Sequence, residues 1–194
     1  MTLLEQLKLS IKEAKVAPGM PVKLVAIDGH GGAGKSRLAT HLSQELHAEI
    51  IRTDDFASME NPLDWWPRLI DEVLDPIKAG AQALSYKRSS WWENHNPSPI
   101  IDQFVTPVMI LEGVSASRSE FRPYLAYSIW VEAPKEVYQV RGIDRDLASN
   151  PDGKSRQELE GIWEKWHTYE NMYIKRDNPK GYANRIVDGT KNYA

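Results

Sequence analysis

The segment Gly29-His30-Gly31-Gly32-Ala33-Gly34-Lys35-Ser36 constrains this chain more than any other. It follows an apolar, strand-like run, Val22-Lys23-Leu24-Val25-Ala26-Ile27, that ends at Asp28, and it precedes a stretch of helical character from about Lys35 to Leu46. Glycines allow the backbone to curl until several N–H groups face one point. A helix starting at that point adds the positive end of its dipole. An anion belongs there.

The eight residues satisfy G-x-x-x-x-G-K-[ST] completely. That pattern calls for a nucleoside triphosphate: backbone amides around the phosphates, Lys35 on the β- and γ-phosphates, and the Ser36 hydroxyl on magnesium. The expected ligands are therefore ATP and Mg2+, held by Gly29, Gly31, Gly32, Ala33, Gly34, Lys35 and Ser36, with Arg37 next in the first turn. Gly29, Gly31 and Gly34 also spell G-x-G-x-x-G, with Asp54 about 20 residues onward, the dinucleotide fingerprint. That alternative gives no reason for Lys-Ser directly after the last glycine.

Beyond the loop, short apolar runs alternate with helical stretches. Strands are expected at Glu49–Arg52, Ala83–Tyr86, Pro107–Leu111, Ser128–Val131 and Asn184–Val187. Helices are expected after the capping boxes Thr2/Glu5 and Ser155/Glu158, after Pro67 and after Pro134, with Pro76 kinking or ending the one that starts at Pro67. Residues 89–106 read as loop, and Asn150-Pro151-Asp152-Gly153 as a turn. This alternation predicts an α/β fold, a three-layer sandwich with a mostly parallel central sheet and helices on both faces. The 194 residues suit a single domain.

Charge and composition narrow the partners. A net charge of −3 argues against an extended nucleic-acid surface. No apolar run approaches a membrane span, and the first 15 residues, broken by Glu5, Lys8 and Lys12, lack the core of a signal peptide, so a cytoplasmic location is expected. With no cysteine, thiolate metal sites and cysteine nucleophiles are excluded. Self-association as a homo-oligomer is left open.

Candidate chemistry follows from position. Asp54 and Asp55 end the second strand, at the sheet edge where ligands of open α/β folds bind. Asp54 is the candidate base and a candidate magnesium ligand, with Asp55 in reserve; a turn or cap aspartate is the plain alternative. Glu112 ends the strand at 107–111 and suits magnesium, directly or through water. Arg141 and Arg145 lie four apart and share a helix face, so both can meet a transferring phosphate, unless Asp144 and Asp146 hold them in a solvated salt-bridge face. Arg118 either faces the site or stays at the surface. Trp65-Trp66 and Trp91-Trp92 are either a stacking platform or core, whereas Trp163, Trp166, Tyr169 and Tyr173 keep helical spacing and are expected to pack. No chemistry is assigned to His30 or His95.

Five segments together, Asp28–Ser36, Thr53-Asp54-Asp55-Phe56, Ile110-Leu111-Glu112-Gly113, Arg141-Gly142-Ile143-Asp144-Arg145-Asp146 and Tyr182-Ala183-Asn184-Arg185-Ile186-Val187, resemble the uridine kinase family. More broadly they are similar to the group of uridine kinase, phosphoribulokinase and pantothenate kinase. The resemblance implies a P-loop kinase with ATP as donor and a small-molecule acceptor. It puts the base on Asp54, the magnesium-linked acid on Glu112, a lid at about 141–156 bearing Arg141 and Arg145, and a ribose contact on Asp64. Two departures fall on the nucleoside pocket: Ala57 where the family often has Tyr, and Ser89-Ser90-Trp91 in place of a Tyr-Asp-aromatic segment. The resemblance therefore does not fix uridine as the acceptor. The alternative is a non-catalytic or slowly hydrolysing ATP-binding regulator.

Overall fold

Residues 1–89, 99–149 and 152–193 are described in a computed structural model of the chain. The five-stranded sheet has the order β2-β5-β1-β6-β7, with β1 Lys23–Gly29, β2 Glu49–Arg52, β5 Val108–Glu112, β6 Leu125–Glu132 and β7 Arg185–Asp188. All four pairings are parallel. Central β1 is buried on both faces, which its unbroken apolar run requires. Leu24 and Ala26 enter one core with Ile51, Met109 and Leu111; Val25 and Ile27 enter the other with Ile110, Ile129 and Val131. The second core is closed by α1, Leu3–Glu13, through Leu7 and Ile11, and by α2, Lys35–Leu46, through Leu38 and Leu42. No helix of the described residues is long and apolar enough to cross a membrane.

The first core is closed by a helical stretch that continues past Pro76. It comprises α3, Trp66–Leu69, a π-helical turn, Ile70–Leu74, and α4, Asp75–Lys78. In the wide turn the Asp75 N–H reaches the Ile70 carbonyl. Pro76 offers no N–H and crowds the preceding turn, so widening that turn lets the helix run on to Lys78 rather than break. The strand expected at Ala83–Tyr86 forms as β3, Ala83–Lys87, but outside the parallel sheet. It pairs antiparallel with β4, Ile100–Phe104, inside the segment expected as loop. Ser90, Trp91-Trp92, His95, Asn150 and Pro151 lie outside the described residues.

Both expected capping boxes form, at Thr2/Glu5 and Ser155/Glu158. The second opens α6, Arg156–Asp177, which follows α5, Lys135–Ala148, and precedes the short α7, Pro179–Tyr182.

The parallel register gathers three strand ends. Ile27 pairs with Glu112, and Arg52 pairs with the same Glu112, so Asp28-Gly29, Thr53–Asp55 and Glu112-Gly113 share one edge. Asp28 ties that edge together. Its fully buried carboxylate accepts from the Gly29 and Ser115 amides (2.7 and 3.2 Å), from the Ser117 amide and hydroxyl (2.8 and 2.6 Å) and from the Tyr173 hydroxyl of α6 (2.6 Å). Burial pushes this carboxyl upward, and the donors pull against it. Replacing Tyr173 by Phe removes one donor from a buried acid. The variant should lose about 1–3 kcal/mol in urea unfolding at neutral pH; an unchanged midpoint would show that the Tyr173 hydroxyl contributes nothing.

Candidate active site

The glycine loop leaves β1 at Gly29 and enters α2 at Lys35, with Gly34 as N-cap in the left-handed region (φ 105°). At Gly32, φ is 78°, and an added Cβ would stand 2.0 Å from the Tyr138 carbonyl oxygen, so a side chain fits neither backbone nor space there. Lys35 is nearly buried, and its ammonium donates to the His30 carbonyl across the loop (2.8 Å). The loop is also held from α6: buried Glu170 accepts from the Gly31 amide (2.8 Å), approaches His30 Nδ1 (3.0 Å) and accepts from the Trp166 indole (2.7 Å). His30 stacks on Tyr138 at 4.5 Å between ring centroids. Thus a loop position that the motif leaves free is a strut.

A cleft of about 550 Å³ opens over this loop. Gly31, Gly32, Gly34, Lys35, Ser36, Arg37, Asp54, Glu112, Arg141 and Arg145 all line it. Gly29 ends β1, and Ala33 is packed in the second core. Ser36 donates its hydroxyl proton to Glu112 Oε1 (3.0 Å), and Arg52 reaches Glu112 Oε2 (2.8 Å). Burial pushes the Glu112 carboxyl upward, Lys35 lowers it and Asp54 raises it. Gly113 lets these elements close up, since a Cβ there would be 1.9 Å from Thr53 Oγ1.

The two adjacent aspartates part company. Asp54 is exposed and lines the cleft. Asp55 turns inward, buried, with Arg88 Nε at 2.7 Å and the Tyr86 hydroxyl at 3.4 Å. Arg141 donates to the Gly189 carbonyl (3.0 Å), and Arg37 donates to the Gly189 and Lys191 carbonyls (3.2 and 2.6 Å). Arg145 is largely exposed and pairs with Asp146 at 2.8 Å. Arg156 pairs with Asp144, and Lys154 with Asp152 (2.9 Å).

Two candidates stay away from the cleft. Arg118 is fully buried; it donates to the Leu63 carbonyl (2.8 Å), pairs with Glu120 (3.0 Å) and lies over the Trp65, Trp66 and Phe121 rings. Asp64 is exposed and does not line the cleft. Trp65 is core, packed on Phe56 and Phe121. Trp163 and Tyr173 pack as expected, Trp163 with Ile143 and Leu159 and Tyr173 with Leu63 and Val114, and Trp166 lies against both groups, while Trp163, Trp166 and exposed Tyr169 also line the cleft. Glu170 was missed altogether, although an acid on the stripe Trp163, Trp166, Tyr173 is a signal: a carboxylate on a buried face needs donors.

Ser36, Glu112 and Asp54 offer hard oxygen donors of the kind magnesium takes. Among the described residues no group of three or more His, Asp or Glu is placed to cage a metal. The donor set fits an ion that binds through one or two carboxylates together with phosphate oxygens.

Glu170 gives a pH prediction. Burial opposes its charge, but His30, the Gly31 amide and Lys35 outweigh burial and hold its carboxyl below the ordinary 4.5. A lowered folded pKa stabilises the fold above 4.5, and that contribution fades as pH falls from 4.5 through the folded value. Glu170→Gln should therefore unfold more easily by about 1–3 kcal/mol at pH 7, with the gap to the parent closing below pH 4.5. Urea midpoints measured across that range test it, and a gap independent of pH would contradict it.

Neither the protein-family models nor the curated proteins compared with this chain match it. Solved structures do. A possible uridine kinase from Bacillus stearothermophilus superposes with a TM-score of 0.65 over 95% of this chain and 97% of its own, at 16% identity. A proposed fructose transport system kinase from Silicibacter sp. TM1040 gives 0.66 over 96% and 99%, at 18% identity. With its parallel sheet and glycine loop, the chain has the α/β fold of the uridine-kinase-like P-loop kinases.

Proposed function

We propose that the chain is an ATP-dependent phosphotransferase that moves the γ-phosphate of ATP to a hydroxyl of a small molecule. One observation carries this reading: Lys35, Ser36, Glu112 and Asp54 line a single cleft, with Ser36 and Glu112 in hydrogen-bond contact. A nucleotide-binding loop alone would not need an exposed carboxylate at the γ-phosphate end.

The roles follow from what each group can do. The amides of Gly32, Gly34, Lys35 and Ser36 and the α2 N-terminus hold the phosphates, those of Gly31 and Ala33 being engaged by Glu170 and by the His30 carbonyl. Lys35, Arg141 and Arg145 offset charge on the transferring group, for which Lys35 releases the His30 carbonyl and Arg145 releases Asp146. Ser36, Glu112 and Asp54 would hold magnesium, which supplies further charge neutralisation to the phosphates. Asp54 takes the acceptor's hydroxyl proton as its oxygen bonds to the γ-phosphorus, while the bond to the bridging oxygen breaks and ADP leaves. Residues 141–156 act as the lid over this site within one domain, excluding water as a competing acceptor.

Asp54→Asn should lower kcat for transfer by about 10²–10⁴-fold and weaken magnesium-ATP binding far less, because Ser36, Glu112, Lys35 and the loop amides remain. Product phosphate ester quantified by mass spectrometry from a panel of nucleosides, sugars and other alcohols gives the rate, and calorimetry gives the affinity. Full activity in the variant would remove Asp54 from the chemistry. Failure of every alcohol beside tight nucleotide binding would favour the regulator.

A further inference from the structure

The sheet register sets one further side chain beside the proposed chemistry. Residues paired across parallel strands send their side chains to the same face, so Arg52, which ends β2, stands next to Glu112, which ends β5. The two strand ends are closely packed: Gly113 approaches Thr53 until no Cβ fits between them. The Arg52–Glu112 pair is therefore carried on a rigid edge.

Glu112 divides its two oxygens between partners. Oε1 accepts the Ser36 hydroxyl (3.0 Å), and Oε2 accepts from Arg52 Nη1 (2.8 Å). The Glu112 side chain is only 6% exposed, so water does little to fix it, whereas Arg52 reaches in from a side chain 40% exposed. The terminal torsion of a glutamate is broad, and an unanchored carboxylate takes many orientations. Holding Oε2 fixes the plane of the group, and with it the direction of Oε1 toward Ser36. Lys35 is a competing partner, since its charge also acts on Glu112. In the proposed reaction that ammonium is needed on the phosphates. With Oε2 already met by Arg52, Glu112 has less call on it. Arg52 is not among the described residues that line the cleft, so it acts through Glu112 rather than on a ligand.

We propose that Arg52 is a positioning residue: it holds Glu112 in the orientation in which Glu112 and Ser36 together serve magnesium, and thereby tightens magnesium-dependent nucleotide binding. The proposal deepens the phosphotransferase reading and rests on it for the metal. The plain alternative is a strand-end ion pair that affects stability alone, as partly exposed pairs commonly do. The two differ in what happens once Glu112 no longer carries a carboxylate to be aimed.

The test is calorimetry of a non-hydrolysable ATP analogue titrated into the whole protein, with and without magnesium. The parent should bind the analogue more tightly with magnesium. Arg52→Met keeps the apolar stem and removes the donor. It should cut that magnesium-dependent gain about tenfold or more, the usual cost of losing a partner that orients a metal ligand. Binding without magnesium should change much less, and it serves as the control for folding in every variant. In a Glu112→Gln background the same substitution should cause no further loss of the gain. An undiminished gain in Arg52→Met, or an equal loss in both backgrounds, would overturn the proposal, the second by showing a general effect of charge. A parent that gains nothing from magnesium would remove the metal reading together with this proposal. An Arg52-dependent gain in a protein that phosphorylates no alcohol would instead remove the phosphotransferase reading and leave the role of Arg52 standing.

Discussion

A glycine loop that turns peptide N–H groups toward one point must be held open by the rest of the fold, because amides so placed repel one another. Two buried carboxylates meet this need here. Asp28 fixes the start of the loop through the Gly29 amide, and Glu170 fixes its crest through the Gly31 amide. Each also binds or contacts α6, Asp28 through the Tyr173 hydroxyl and Glu170 as a residue of that helix. The strand, the loop and a helix some 140 residues further on are thereby one mechanical unit. The arrangement is costly in desolvation, and it is tolerated because nearly every carboxylate oxygen is met by donors.

The register of the parallel sheet does the rest. Pairing Ile27 and Arg52 with Glu112 brings the ends of three strands to one edge, and Gly113 admits the close approach to Thr53 that completes it. Of the adjacent aspartates, one is delivered to the cleft and the other to the core. Both lie in the 3-10 turn Thr53–Asp55 that follows β2, where three residues complete a turn and neighbours therefore point about 120° apart.

Local features were readable before any coordinates. Gly29–Ser36, the strands of the parallel sheet and both capping boxes are short-range patterns, each with a local physical cause. What escaped was non-local. β4, Ile-Ile-Asp-Gln-Phe, has two adjacent apolar residues and no clean alternation, so it becomes a strand only through its pairing with β3. Buried Arg118 looks in sequence like any solvated arginine; only the aromatic rings around it mark it as core. Trp166 and Tyr169 announced a helix but not which neighbour they would face. Glu170 acts on a backbone group 139 residues away, a relation that no window of sequence contains.

Helix α6 carries two offset rows. Glu170 and Tyr173 grip the glycine loop and its supporting strand, while Ile162, Lys165 and Tyr169 line the cleft. Trp166 stands at the seam. Substitution along the outer row can therefore change the lining of the cleft without loosening the glycine loop. A few exposed side chains on a single rod can thus be exchanged while the frame beneath them stays braced.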